Sequence, residues 1–156
     1  RLGDSDWSIA AWIKTDISTD QEVMGIWKTS ANNREWRLWY RSSIGGYQFE
    51  ISSDGESGTV STVDSGTVSA SSFHHHIITH DSVNNNIKYY IDGSLENTTS
   101  HSGGAFEGNG QFRIGHTFSG ANYFDGQIDE LGFWSRVISS RDISDLYNNG
   151  EGRKVK

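Results

Sequence analysis

Four of the six histidines in the chain fall within FHHHIITHD, residues 73–81. Imidazole nitrogen is a common zinc ligand, and in an extended strand alternate side chains share a face, so His74 and His76 could reach one ion. On that periodicity His74, His76, Ile78 and His80 face one way, and Phe73, His75, Ile77 and Thr79 the other. A zinc site needs a third ligand and, for catalysis, an open position. The two remaining histidines, His101 and His116, sit in an expected loop and an expected strand. The competing expectation is an ordinary strand in which these imidazoles pack and hydrogen-bond.

A second constellation lies in REWRLWYR (34–41), where alternation sets Trp36, Leu38 and Tyr40 on one side and Glu35, Arg37, Trp39 and Arg41 on the other. An indole flanked by two guanidinium groups can stack on the apolar face of a sugar ring, while Arg37 and Arg41 donate to hydroxyl, carboxylate or sulfate oxygens. In GGYQFEIS (45–52) Tyr47, Phe49 and Ile51 share a side, with Gln48 and Glu50 opposite. If this strand is a neighbour, Gln48 and Glu50 extend the same polar surface. Without a ligand, the surface is an exposed sheet face whose Arg and Glu pair across strands for about 0.2–1 kcal/mol per pair.

No G-x-S-x-G, H-E-x-x-H, phosphate-binding loop or cysteine nucleophile is present. Asn97-Thr98-Thr99 is a formal N-glycosylation sequon, expected in a loop.

The elements that must position these residues are strands. The chain has 156 residues, the size of one domain with one sizeable core, so 1–156 is expected to be a single unit. Its 6 Trp, 7 Phe, 6 Tyr and 18 Gly, among many Ser, Thr and Asn, favour strands joined by turns. WSIAAWIKT (7–15), EVMGIWK (22–28), IKYYIDG (87–93), QFRIGHT (111–117) and YFDGQIDELGFWSR (123–136) read as further strands. TVSTVDSGTVSASS reads as a weak edge strand plus loop, and the segment after IKYYIDG as a long Ser/Gly loop. Strands at short spacing point to a sandwich or barrel. One helix is expected over about 139–149: Ser139 and Asp142 form a capping box, Ile143, Leu146 and Tyr147 recur at helical spacing, and Gly150 is a natural stop before a tail over 150–156.

There are 20 acidic and 13 basic residues for a formal charge of −7, and no basic run before the terminal RKVK. Nucleic acid and anionic membrane surfaces are therefore disfavoured partners. No stretch approaches the roughly 20 apolar residues of a membrane span. Cysteine is absent, so no disulfide framework is expected. The chain opens on Arg1 rather than Met, as a processed chain or excised domain would.

Three segments together resemble the LamG-like (laminin G-like) domains of the concanavalin A-like lectin/glucanase superfamily. They are WSIAAWIK, FHHHIITHD with YYIDG, and FRIG with FDGQIDELGFWSR and ISSRDISDLYNNG, in family order over residues 7–150. Phe73 and His80 stand where the family more often has Trp and Tyr. Only RLGDSD precedes the first strand, where members usually carry another. The resemblance implies an all-β, two-sheet antiparallel jelly roll, with the Asp-Glu strand returning beside the first strand and the short helix covering one end.

The resemblance also implies a function, that of a noncatalytic, lectin-like module for glycans or polysaccharides, part of a larger protein outside the cell or on a cell or virion surface. The alternative is a structural, adhesion or protein-interaction domain, and a glycoside hydrolase or polysaccharide lyase is less favoured. Superfamily glucanases carry E-x-D-x-E or E-x-D-x-x-E on one strand, and a retaining mechanism holds its carboxyls about 5–5.5 Å apart. Here Glu50, Asp54 and Glu56 have the wrong spacing, and Asp54-Gly55 breaks the strand. A structural Ca²⁺ is implied at Asp129, with backbone carbonyls completing the oxygen set; otherwise Asp129 satisfies backbone amides or a basic neighbour.

Overall fold

The first strand, β1 (Trp7–Thr15), has almost no exposed side chain on either face, and the reason is apparent once its neighbours are placed. A computed structural model of the chain describes residues 1–116 and 122–152. The strands that follow are β2 (Gln21–Lys28), β3 (Asn33–Arg41), β4 (Gly46–Ser52), β5 (Val60–Asp64), β6 (His74–Asp81), β7 (Asn86–Ile91), β8 (Ser94–Ser100), β9 (Arg113–Ile114) and β10 (Gly126–Trp134). They form two five-stranded antiparallel sheets, β10-β1-β6-β7-β8 (sheet A) and β5-β4-β3-β2-β9 (sheet B), the expected jelly-roll sandwich. The Asp-Glu strand β10 lies antiparallel to β1, as expected.

Alternation decides which side chains enter the core. Trp7, Ile9, Ala11 and Ile13 of β1 meet Trp36, Leu38 and Tyr40 of β3, Tyr47, Phe49 and Ile51 of β4, and Ile87, Tyr89 and Ile91 of β7 between the sheets. Full burial of each large apolar side chain contributes about 1.5–3 kcal/mol.

The helix α1 (Ser140–Tyr147) begins at Ser139, whose hydroxyl accepts from the Asp142 amide while the Asp142 carboxylate accepts from the Ser139 amide. It lies on the outer face of sheet A, where the resemblance placed it at one end. Ile143 and Leu146 pack on Ala10, Ile77 and Ile138, and Tyr147 stacks 5.9 Å from Trp12. The centre of sheet A is thus covered on both faces, while its edge strands β8 and β10 stay largely exposed. The helix stops at Asn148, which adopts the left-handed conformation (φ 46°) that Asn tolerates well. The expected stop, Gly150, ends a following turn of 3-10 helix.

Two expectations change. The segment after β7 is not loop throughout: Asp92 (φ 50°) and Gly93 (φ 81°) make a tight hairpin turn into β8. The sequon therefore lies on an exposed edge strand. QFRIGHT contributes only the two residues of β9; its last residue, Thr117, and tail residues 153–156 lie outside the described residues.

One side of the sandwich is drawn together where the Thr99 hydroxyl donates to the Thr62 carbonyl at 2.8 Å. The other side, between β9 and β10, holds a cleft of about 510 Å³ lined by Trp7, Trp36, Phe112, Phe133 and Trp134. The N-terminal residues border it, with Leu2 against the core and the Arg1 guanidinium on Glu35.

Candidate glycan-binding face

The helix covers the centre of sheet A, and the outer face of sheet B gathers the charged and aromatic side chains of β2 to β5. Its register aligns side chains in rows. Tyr123 is bridged to Glu22, which pairs with Trp39, then Gln48, then Asp64. The adjacent row runs Arg113, Gly25, Arg37, Glu50, Thr62. Arg37, Trp39, Arg41, Gln48 and Glu50 are therefore brought together, because β3 and β4 are neighbours.

Arg37 is the hub of the face. Its Nη1 donates to Glu22 Oε1 at 2.7 Å and its Nε to Glu50 Oε2 at 2.6 Å, with only 14% of the Arg37 side chain exposed. The same guanidinium lies 3.7 Å from the Trp39 ring centroid and 4.7 Å from that of Trp27. Arg41 lies 4.0 Å over Trp39 and 3.8 Å from Asp20. Asp20 accepts from the Ser42 hydroxyl and amide, which holds its carboxyl below the usual carboxylate range despite partial burial. Each cation–π contact is worth about 0.5–2 kcal/mol, so the floor is stiff.

This corrects the stacking role expected of Trp39. The indole is 7% exposed and its faces are taken by the guanidinium groups two residues before and after it. It supports the floor, while Arg41, Gln48, Asp64 and Thr62 reach its surface, and Tyr123 stands 63% exposed at the margin. Glu22, Trp27, Asp20 and Tyr123 were not picked out by the sequence reading. A register shift between Glu22 and Met24 is the reason for Glu22: Val23 and Met24 both enter the core, so simple alternation puts Glu22 on the wrong side.

The β6 histidines hydrogen-bond and pack within the fold. Asp92 ties the β7–β8 turn to β6: its Oδ2 meets His74 Nδ1 at 2.7 Å and its Oδ1 accepts the His75 amide. His76 Nδ1 meets the Tyr89 hydroxyl at 2.9 Å, and His80 Nδ1 donates to the Ser5 carbonyl at 2.8 Å. His75 lies on the other face, against Trp12. Burial lowers the pKa of His75 and His101 and pushes that of His76 well below 6.5. Among the described residues, no group of three or more His, Cys, Asp or Glu could hold a metal ion.

Asp129 is exposed on β10, and its Oδ1 accepts the Glu130 amide. Glu130 and Glu151 line the same shallow pocket, but among the described residues these carboxylates do not form a group of three that could hold a metal ion. Glu50, Asp54 and Glu56 do not converge either. Glu50 faces Arg37, Asp54 accepts from Thr59 and the Glu56 amide, and Glu56 accepts from Asn32.

A family model described as the concanavalin A-like lectin/glucanases superfamily (Laminin_G_3) matches residues 1–144. A comparison with curated proteins finds no match. Similar solved structures include the native heptameric SAP-like pentraxin from Limulus polyphemus, at 13% identity and TM-score 0.69, covering 94% of this chain and 71% of that one. The Ruminococcus gnavus IT-sialidase CBM40, solved with α2,3-sialyllactose, has 19% identity and TM-score 0.74 over 89% of this chain and 80% of that one. A botulinum neurotoxin type C structure, described in terms of cell entry through two ganglioside molecules, has 17% identity and TM-score 0.68 over 92% of this chain but 35% of the toxin chain. At these identities the likeness is one of fold. Among the described residues, no helix is long and apolar enough to cross a membrane.

Proposed function

Because the chain belongs to the laminin-G-type family of the concanavalin A-like lectin/glucanases superfamily, we propose that it is a noncatalytic carbohydrate-binding module whose ligand lies on the outer face of sheet B. The observation that carries this reading is the asymmetry of the sandwich. The centre of sheet A is covered by α1, whereas sheet B carries rows of polar and aromatic side chains held in place by ion pairs and cation–π contacts. A preorganised polar surface over an aromatic floor suits sugar hydroxyls, because little side-chain entropy is lost on binding.

In this reading Arg41 and Gln48 contact the sugar, and Arg37, Trp39 and Glu50 form the support beneath. Binding without turnover fits the carboxylates, since Glu22 and Glu50 are both held by one guanidinium. The sialyllactose-bound and ganglioside-linked neighbours support a glycan as the class of partner and a secreted or surface protein as the setting.

A glycan array tests the proposal. Binding should be lost in Arg41→Ala and Gln48→Ala and retained in Glu96→Ala on the distant edge strand β8. Binding that survives both sheet B variants but falls with Glu96→Ala would move the site elsewhere. Turnover of a β-glucan or alginate would replace the module with an enzyme.

A further inference from the structure

The charge of this face bears on which sugars it takes. Around Trp39 stand four carboxylates, Asp20, Glu22, Glu50 and Asp64, and two guanidinium groups, Arg37 and Arg41. Both arginines already face carboxylates: Arg37 donates to Glu22 and Glu50, and Arg41 lies beside Asp20. At the far margin the Arg1 guanidinium sits on Glu35, and Arg113 Nη2 donates to Gln111 at 3.4 Å.

An independent observation points the same way. Glu22 is 1% exposed, its Oε2 has no hydrogen-bond partner, and it shares the Arg37 guanidinium with Glu50, so two nearly buried carboxylates are matched by one cation beneath the floor. A carboxylate or sulfate brought onto this surface would lose hydration and meet a guanidinium already shared by two carboxylates. An uncharged sugar meets no such barrier. Gln48 and Asp64 are direct cross-strand partners, and together they offer an amide donor, an amide acceptor and a carboxylate to neighbouring hydroxyls, with the Thr62 hydroxyl close by.

We propose that the outer face of sheet B selects uncharged glycans and discriminates against sialylated, uronic and sulfated ones. This rests on the carbohydrate-binding reading above and adds the class of sugar. It also sets the face apart from the CBM40 neighbour solved with sialyllactose. One unit charge brought within about 4 Å of an unmatched carboxylate at a protein surface corresponds to a tenfold or greater loss of affinity.

The experiment uses matched glycans: lactose with 3′-sialyllactose, and N-acetyllactosamine with its sulfated form, measured by calorimetry at low and moderate salt. The neutral member of each pair should bind about tenfold or more tighter, with the gap narrowing as salt rises. Asp64→Asn is isosteric and keeps an oxygen for the Gly66 amide that Asp64 now receives at 3.0 Å. It should narrow the gap at low salt by improving binding of the acidic member, with an unchanged melting temperature confirming the fold. Equal or tighter binding of the acidic members, weakened by salt, overturns the proposal and leaves the carbohydrate reading standing. Silence toward every glycan overturns the carbohydrate reading and the proposal with it.

Discussion

Replacing Arg37 with Met is the most informative perturbation of sheet B. Met keeps much of the aliphatic stem but removes the charge that lies between Glu22 and Glu50. The Glu22 and Glu50 side chains are only 2% and 11% exposed, so both carboxylates would be left nearly buried and facing each other. Breaking a buried ion pair from one side costs about 3–5 kcal/mol, and losing the stack on Trp39 and Trp27 removes a further 0.5–2 kcal/mol or so. With urea m-values of about 1–3 kcal/mol/M, a 3 kcal/mol loss lowers the urea midpoint by roughly 1–3 M. The triple variant Glu22→Gln, Arg37→Met, Glu50→Gln should recover most of that loss, because no uncompensated charge remains. Equilibrium urea denaturation followed by Trp fluorescence measures both. A single-variant cost below about 1 kcal/mol, the range of an exposed pair, would refute the reasoning.

Acid should destabilise the fold through its interior histidines. His76 is held neutral by burial, whereas the unfolded chain takes up a proton below about pH 6.5, so stability is fully present above that pH and falls below it. The slope is about 1.4 kcal/mol per pH unit for each such histidine. Melting temperatures between about pH 7 and pH 5 should show the fall, and His76→Gln should flatten it; a pH-independent profile would contradict the assignment. Ser139→Ala should cost about 1 kcal/mol through loss of the helix cap, read in the same urea titration. Millimolar Ca²⁺ should leave the melting temperature unchanged, whereas a rise that disappears in Asp129→Ala would restore the ion implied by the resemblance.

The fold was legible because the core strands alternate cleanly and follow one another in family order. β8 was not, since SLENTTS has one large apolar residue and lies at a sheet edge; the signal available was the Asp92-Gly93 turn before it. The candidate face was half legible. Alternation put Arg37, Trp39 and Arg41 together, and β4 supplied Gln48 and Glu50 in register. Alternation does not say what covers a side chain, so Trp39 was expected as an open platform when its own neighbours occupy it. Glu22 was hidden by the register shift in β2, and Tyr123 by a bridge formed across more than a hundred residues of chain. FHHHIITHD raised a metal question, and in the fold the Nδ1 atoms of His74, His76 and His80 are engaged with Asp92, Tyr89 and Ser5.

Amide and indole chemical-shift mapping with the neutral oligosaccharide that binds best tests the location of the site most directly. Perturbations should cluster on β2 to β5, with the indole N–H of Trp39 among them and α1 unaffected. Perturbations confined to α1 and sheet A, or to the Phe112 and Phe133 cleft between β9 and β10, would contradict the account.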